Sequence, residues 1–273
     1  MKDKITLHKD RSIIEISGVD RHKFLQGLIT NDINLATEKN LIYCAMLNAQ
    51  GRFLYDFFIF ETAEKLMIDC SSSRRDEILK KLIFYKLRSQ VEIKKNDELM
   101  IGQILDDNNL ATKEVVTTFA DPRSSKLGKR IYGKNLQSEI DSAKYHFTRI
   151  ENKIPQSEDD LTYEKSFILE FSFDELSAVN YTKGCYVGQE PTARIHYLGE
   201  IRKKIFHVKI PNAKNIEKNL EITCEGKDAG IILSSVFFNN ELHALALLKL
   251  SALENKNNSL RIDGFTPAVA IQS

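Results

Sequence analysis

The chain has 273 residues, with 39 basic and 38 acidic side chains and a formal net charge of +1. This length allows two or three domains with a substantial core, and the balanced charge excludes a general affinity for polyanions. No apolar run approaches the roughly 20 residues that span a bilayer. We therefore expect no direct nucleic-acid partner and no membrane partner.

The four cysteines, Cys44, Cys70, Cys185 and Cys224, are far apart in the sequence and form no Cys-x-x-Cys pair. This spacing argues against a self-contained metal or cluster site. Cys44, Cys70 and Cys224 lie in or beside apolar runs and are predicted to be core residues. The opening residues 1–4 lack the apolar core of a signal peptide, so a cytoplasmic location is expected.

The first third of the chain predicts short strands around one helix. Residues 5–17 alternate as two strands interrupted near Asp10, and Asp20 is placed to cap a helix with Phe24, Leu25, Leu28 and Ile29 on its apolar face. Residues 41–47 and 52–60 read as two strands of a hairpin. Asn48 to Gly51 provides its tight turn.

Residues 51–97 predict a compact α+β unit. A strand over 66–70 is followed by three serines that can cap a helix, and strands follow over 91–94 and 99–105. The helix is predicted to bury one apolar face, made of Ile78, Leu79, Leu82, Ile83 and Leu87. The strand–strand–helix–strand order favours a ferredoxin-like domain.

Residues 121–130 read as a basic turn, and the sequence pattern changes again after Gly199. Arg123 and Arg130 in the turn are read either as holders of an anionic group or as a solubilising loop, and residues 134–147 as a helix. Beyond Gly199, short strands at regular spacing predict a small antiparallel barrel, with His207 and His243 as structural residues. These strands are expected over residues 201–210, 220–224, 230–238, 242–250 and 265–271.

The most informative stretch is 183–190, Lys-Gly-Cys-Tyr-Val-Gly-Gln-Glu. Glycines on both sides of Cys185 allow a loop that presents the thiol to solvent. Lys183 and a short helix beginning near Pro191 would both favour the thiolate. Equally open from spacing alone is a turn whose cysteine is a small apolar filler.

This octapeptide is similar to the Lys-Gly-Cys-Tyr-x-Gly-Gln-Glu signature of YgfZ-type proteins and their mitochondrial iron–sulfur assembly relatives. They are folate-binding cousins of the glycine-cleavage T-protein, an aminomethyltransferase. All signature positions fit, including Gly184, Tyr186, Gly188, Gln189 and Glu190. The continuation through Thr192, Ala193 and Arg194 resembles the mitochondrial branch, although Pro191 stands where an apolar residue is usual.

The resemblance implies an α+β, three-domain T-protein-like fold with a ferredoxin-like middle domain and a C-terminal antiparallel β-barrel. The first domain would combine residues 1–48 with 135–200 and carry the signature loop. The middle domain would span 49–134 and the barrel 201–273. It also implies tetrahydrofolate or a derivative as cofactor.

The same resemblance supplies candidate site residues. Tyr43, Asn48 and Asp56 match folate-side positions of the family hairpin, and Asp56 is read equally as a structural acceptor. In a later stretch, Arg149 and Glu151 are folate-pocket candidates, and Arg194 is a candidate cation for the folate glutamate tail. Cys185 and Lys183 are the candidate reactive pair, and no metal ligand is predicted.

One position argues against transferase activity. The family's enzymes carry two adjacent aspartates in the second hairpin strand, whereas this chain has Tyr55-Asp56. A phenol with a pKa of about 10 does not replace a carboxylate as proton handler at neutral pH.

The leading hypothesis is a folate-binding accessory factor for the assembly or repair of iron–sulfur clusters. Its partners would be iron–sulfur assembly proteins and cluster-dependent client enzymes. Two alternatives stay open. One is a folate-dependent one-carbon transferase, and the other is an interaction module that supports the radical enzymes of tRNA modification, with folate as a relic.

Overall fold

The structure is a computed structural model that describes residues 5–105, 114–137, 142–199, 201–254, 260–262 and 265–272. It divides into two compact units. Unit 1 comprises Met1–Asp141 with Phe173–Pro191, and unit 2 comprises Ser142–Ser172 with Thr192–Ser273. None of the helices in the described part of the chain combines the length and apolar character that a bilayer-spanning helix needs.

Unit 1 contains two antiparallel sheets. Its elements in chain order are β1 (Thr6–Leu7), β2 (Arg11–Ser17), α1 (Arg21–Gln26), β3 (Ile42–Leu47), β4 (Phe53–Thr62), β5 (Lys65–Ser71), α2 (Arg75–Lys86), β6 (Glu92–Asn96), β7 (Met100–Ile104), β8 (Val115–Ala120) and β9 (Lys129–Gly133). One sheet has the order β3-β4-β5-β2-β6 and the other β1-β7-β9-β8. The first sheet joins strands from both sides of residue 48, the boundary of a predicted domain.

The five-stranded sheet holds the apolar core of unit 1. Every residue of β3 is buried, as are the first eight of β4, because both faces of this hairpin are covered. Tyr43 pairs with Phe58 and Ala45 with Asp56 in its register. Continuous apolar runs of this kind are typical of strands buried on both faces.

Unit 2 is built on a closed barrel. Its elements are α3 (Ala143–Glu151), α4 (Ser157–Asp160), α5 (Gln189–Leu198, whose first turn lies in unit 1), β10 (Lys203–Ile210), β11 (Glu221–Cys224), β12 (Lys227–Phe238), β13 (Glu241–Lys249), β14 (Leu260–Ile262) and β15 (Phe265–Gln272). The strands pair antiparallel in the order β10-β13-β12-β11-β14-β15 and close on themselves. Aliphatic side chains fill the interior, among them Val208, Ile222, Ile232 and Leu248.

Several sequence predictions need correction. The helix expected over 134–147 runs over Ala143–Glu151, because β9 continues to Gly133 and Asn135 has a left-handed φ of 56°, which a helix does not accommodate. Residues 138–141 of that prediction lie outside the described residues. The strands β8, β9 and β14 were not predicted.

Helix α2 departs from its predicted apolar face. Ile78 and Leu82 are buried, whereas Ile83 is exposed, and Leu87 lies exposed just beyond the helix end. The periodicity of this segment alone therefore overestimated the face that packs against the sheet.

Candidate functional site

Lys183 anchors the signature loop to the end of α1. Its ammonium donates hydrogen bonds to the carbonyl oxygens of Gln26, Ile29 and Asn31, each at 2.7 Å. Gln26 is the last residue of α1 and Ile29 and Asn31 follow it, so a buried cation that satisfies their carbonyls ties the loop to the helix end. Burial lowers the pKa of Lys183 to about 8. The three donors of the ammonium are thus engaged by backbone, and the structure gives Lys183 the role of an anchor.

Gly188 fixes the other end of the loop against the β3–β4 turn. Its φ is +83°, and a Cβ atom there would lie 2.6 Å from the carbonyl oxygen of Asn48 and 2.9 Å from Cβ of Leu47. The neighbouring Val187 N–H donates to the carbonyl of Gly27 at 3.2 Å. Glycine is therefore required by both conformation and close approach.

Cys185 lies between these two anchors and is exposed, as is Gly184. A Cβ atom at Gly184 would meet nothing within 4 Å. The other cysteines are buried, and burial raises the pKa of Cys44 and brings that of Cys70 to about 12. Cys185 is the accessible thiol of the four, on a loop held at two points.

Helix α5 begins at Gln189, two residues earlier than the start predicted near Pro191. The Tyr186 N–H donates to Oε1 of Gln189 at 3.4 Å, and the Gln189 N–H donates to the Tyr186 carbonyl at 3.2 Å. The backbone bond closes a β-turn over residues 186–189 that leads into the helix, and the side-chain bond reinforces it. Tyr186 is buried with its ring centroid 5.1 Å from the Lys183 ammonium, while Glu190 is exposed.

The hairpin candidates are engaged within unit 1. The Tyr43 ring is buried between Phe58 and Phe173, at centroid distances of 4.7 and 5.3 Å. Asn48 holds the turn, since its Oδ1 accepts from the N–H groups of Gln50 and Arg52 at 3.1 and 2.9 Å. The predicted roles of Tyr43 and Asn48 toward folate stay predictions.

Asp56 belongs to a buried charge cluster that sequence reasoning missed. Both its carboxylate oxygens accept from Nη1 of Arg11, at 3.0 and 3.1 Å. Arg11 Nε donates to Oδ1 of Asp69 at 2.8 Å, and Arg130 Nε to Oδ2 of the same carboxylate at 2.7 Å. Of the two readings left open for Asp56, this contact supports the structural one. The sequence feature that could have revealed this cluster is Asp69, a single acid within the apolar run 66–70.

Arg123 and Arg130 form no solvated loop. Arg130 lies in β9 and is 1% exposed, and Arg123 is held by Asp121 through Nε and Nη2 at 3.0 and 2.8 Å. Burial raises the pKa of Asp121, but Arg123 and Arg130 outweigh this and hold it below its usual range. The solubilising-loop interpretation is therefore wrong.

The phenol of Tyr55 is already engaged by a neighbouring side chain. Its hydroxyl donates to Oε1 of Glu77 at 2.6 Å, and the ring is buried. The position that carries an acid in the family's enzymes is thus occupied by a packed tyrosine tied to α2.

The remaining folate candidates lie in unit 2 or on α5. Arg149 is 2% exposed, and its Nη1 donates to Oδ2 of Asp160 at 3.2 Å. The other oxygen of Asp160 accepts from the Ser234 N–H at 2.8 Å, which ties α4 to β12. Glu151 and Arg194 are exposed. Among the described residues, no three His, Cys, Asp or Glu side chains form a group that could hold a metal ion.

The fold is that of the glycine-cleavage T-protein class. The aminomethyltransferase T of Bartonella henselae aligns over 99% of this chain and 85% of its own, with a TM-score of 0.75 and 12% sequence identity. This confirms a mixed α/β T-protein-like fold with antiparallel sheets. No family model matches the sequence.

Sequence relatives narrow the class further. The chain is 30% identical over 244 residues to an iron–sulfur cluster assembly factor IBA57 homologue of Pyricularia oryzae, and 31% over 230 residues to IBA57 of Mus musculus. These alignments cover 81% and 73% of this chain but 62% and 64% of the relatives, so the chain spans less than two thirds of their length. These similarities confirm the predicted resemblance to the mitochondrial iron–sulfur cluster assembly factors. Both relatives are named as mitochondrial, which contradicts the cytoplasmic location expected from the sequence.

Proposed function

We propose that this chain is an accessory factor for the assembly or repair of iron–sulfur clusters in client enzymes, with Cys185 as its reactive residue. The proposal rests on the exposed thiol of a loop that Lys183 and Gly188 fix in place. The IBA57 relatives are named as iron–sulfur cluster assembly factors, which supports the proposed role in cluster assembly. Its partners would be iron–sulfur assembly proteins and cluster-dependent enzymes, including those of tRNA modification.

A single thiolate does not hold a cluster by itself, because protein-bound clusters take several cysteine ligands. Cys185 would therefore share ligation with a partner, act transiently, or exchange disulfides. In each case the thiol must reach another protein, and its exposure satisfies that requirement. The cluster is cargo in this scheme.

Complementation tests the role of the thiol. In a strain that lacks this protein, we expect Cys185→Ala and Cys185→Ser to leave cluster content and client activity at the level of the empty strain. Cys224→Ala provides the matched control, because that cysteine is buried in the barrel. Full rescue by Cys185→Ala at equal protein level would show that the thiol is dispensable.

We further propose tetrahydrofolate or a derivative as ligand, on the strength of the T-protein-like fold. Asn48 is half-buried, and Glu151 and Arg194 are exposed, so these side chains are accessible for direct contact. The Arg194 guanidinium suits the carboxylates of a glutamate tail. Tyr43, Asp56 and Arg149 are buried and engaged by neighbours, so any contribution of these residues to folate binding would be indirect.

Titration calorimetry with 5-formyltetrahydrofolate tests this second part separately. We expect saturable heat that weakens in Arg194→Ala but not in Lys39→Ala, an exposed lysine used as control. No heat at high micromolar ligand would remove folate from the proposal and leave the assembly role standing. The division into three domains, with 49–134 as a ferredoxin-like unit, also stays a prediction.

A one-carbon transferase is the disfavoured alternative. Tyr55 replaces the acid, and its hydroxyl is already bonded to Glu77. Folate-dependent release of formaldehyde or ammonia by the purified protein would reinstate it.

A further inference from the structure

A groove in unit 1 lies between α1 and the turn that follows α2. Its volume is about 780 Å³, and its lining includes Phe24 and Leu28 from the α1 side and Tyr85 and Leu87 from the α2 side. Phe24 and Leu28 are nearly buried, so they form an apolar base. The groove shares no residue with the signature loop or with the proposed folate contacts.

Leu87 occupies a backbone position that normally belongs to glycine. The Ser89 N–H donates to the Lys86 carbonyl at 2.8 Å and closes a β-turn. Leu87, the first central residue, has φ 44° and ψ −110°, close to a type II′ turn, which strongly favours glycine there. Its side chain is 86% exposed. Folding alone would be better served by glycine, and a backbone outlier of this kind is a reason to look for a role of the leucine side chain outside the fold.

The two walls of the groove are tied together, so its shape is preformed. The Asp20 carboxylate accepts from the Gln90 N–H at 2.7 Å. A Cβ atom at Gly18, whose φ is +106°, would lie 2.2 Å from the Gln90 carbonyl oxygen, and the two segments are therefore in close backbone contact. A preformed groove loses less entropy when it binds a partner.

The charge of the groove is positive. Lys23 and Arg88 both line it and are exposed, and neither has an ion-pair partner among the residues that the structure describes. Its one acid, Asp20, is engaged by Gln90. Outside the groove, α2 exposes two further apolar side chains, Ile83 and Phe84, which are 52% and 74% exposed.

We propose that this groove docks an acidic amphipathic segment of a partner protein. An apolar side chain of the segment would rest on Phe24 and Leu28 beside Leu87, and its carboxylates would pair with Lys23 and Arg88. Charge complementarity selects this occupant, and the concave apolar base favours an inserted side chain over a flat bilayer. The proposal goes beyond the role of Cys185 and does not depend on it.

Peptide display on the full chain tests the proposal. A random library of peptides of about twelve residues, long enough to fill such a groove, is selected against the protein, and the winners are resynthesised for fluorescence polarisation. We expect acidic and apolar residues to be enriched. Leu87→Gly and the double variant Lys23→Glu/Arg88→Glu should each weaken binding by roughly tenfold or more.

The controls separate docking from folding. Leu87→Gly should keep or raise the melting temperature, because glycine adopts the turn conformation without strain. Val116→Ser removes another exposed apolar side chain, from β8, and Lys39→Glu/Lys126→Glu changes charge elsewhere; both should bind as the parent does. Selected peptides that ignore the groove variants, or a library without acidic–apolar binders, overturn the proposal. So does groove-dependent binding to vesicles of phosphatidylcholine and phosphatidylglycerol, or groove-dependent dimerisation in sedimentation equilibrium.

Discussion

Unit 1 buries a network of charged side chains in its interior, whereas unit 2 fills its barrel with aliphatic side chains. In unit 1, Asp69 has no exposed surface and joins Arg11, Arg130 and Tyr132. The guanidiniums of Arg11 and Arg130 also lie 5.4 and 4.0 Å from the Phe58 ring centroid. In unit 2, Ile222 and Ile232 are fully buried members of an apolar cluster inside the barrel.

This difference predicts how each unit responds to a single change. Replacing a buried carboxylate that neutralises two arginines should cost stability in one large step, because it leaves an uncompensated charge in a desolvated environment. An aliphatic core responds in proportion to the volume removed. The two units should therefore differ in the steepness of their mutational response more than in their total stability.

The largest effect is expected for Asp69→Asn. The substitution leaves Arg11 with Asp56 and deprives Arg130 of its carboxylate, at a cost of about 3–5 kcal/mol. Chemical denaturation measures this loss of stability, and hydrogen exchange in β5 locates it. Glu61→Gln is the control, since its pair with Arg21 is partly exposed and should be worth at most about 1 kcal/mol. Equal effects of the two substitutions would erase the contrast.

The next effect lies in the barrel. We expect Ile232→Ala to cost about 2–5 kcal/mol and Ile232→Val about 0.5–1.5 kcal/mol, because Ile232 is fully buried among aliphatic neighbours. Denaturation midpoints of the two variants, compared with the parent, give the gradation. A valine variant as damaged as the alanine variant would mean that the barrel is as intolerant as the charged core.

A third prediction compares the two glycines of the signature loop. Gly188→Ala should destabilise the loop by about 1–3 kcal/mol, since its φ is positive and the new Cβ would meet the Asn48 carbonyl. Gly184→Ala should change stability by no more than about 0.5 kcal/mol, because its surroundings are open. Hydrogen exchange in 183–190 measures both changes. A damaging Gly184→Ala would contradict this account of the loop.

The smallest effect is a dependence on pH. Burial and His243 lower the pKa of His207 to about 4, and burial with Arg130, Arg123 and Arg11 lowers that of His8 well below 6.5. Each histidine binds its proton more readily in the unfolded chain, so the free energy of unfolding falls as the pH drops below about 6.5. For His207 the loss is complete near pH 4.

Variants assign this dependence to the units. His207→Gln should reduce the acid response of hydrogen exchange in the barrel strands, where burial also lowers the pKa of His243, and leave that of unit 1 unchanged. His8→Gln should do the reverse, and His196→Gln, an exposed histidine, should alter neither response. An unchanged acid response in His207→Gln would assign it to other groups.

The sequence predicted the elements whose pattern is local. The strands on both sides of Asp10, the β3–β4 hairpin and most barrel strands appear near their expected places, because alternation and turn residues mark them. Strands β8 and β9 were not predicted. Lys129 and Arg130 made β9 resemble a solvated turn, whereas in the structure Arg130 is buried and paired with Asp69. Arg130 and Asp69 are 61 positions apart, so their pairing cannot be predicted from the pattern of neighbouring residues.

The site was predictable only in outline. The exposure expected for Cys185 agrees with the loop, yet the partners of Lys183 are backbone carbonyls more than 150 positions away, which no side-chain pattern announces. The lysine was expected to act on the thiol because it is close in sequence. In the structure its ammonium instead donates hydrogen bonds to carbonyls at and just beyond the end of α1.

The unequal burial of the four cysteines gives the protein a built-in reporter of its own integrity. A thiol-specific reagent such as Ellman's should release one equivalent of chromophore from the native chain and four after denaturation. The slow appearance of the last three would time the opening of β3, β5 and β11 separately once each cysteine is replaced in turn. Maleimide dyes should likewise mark position 185 alone, without any engineered attachment point.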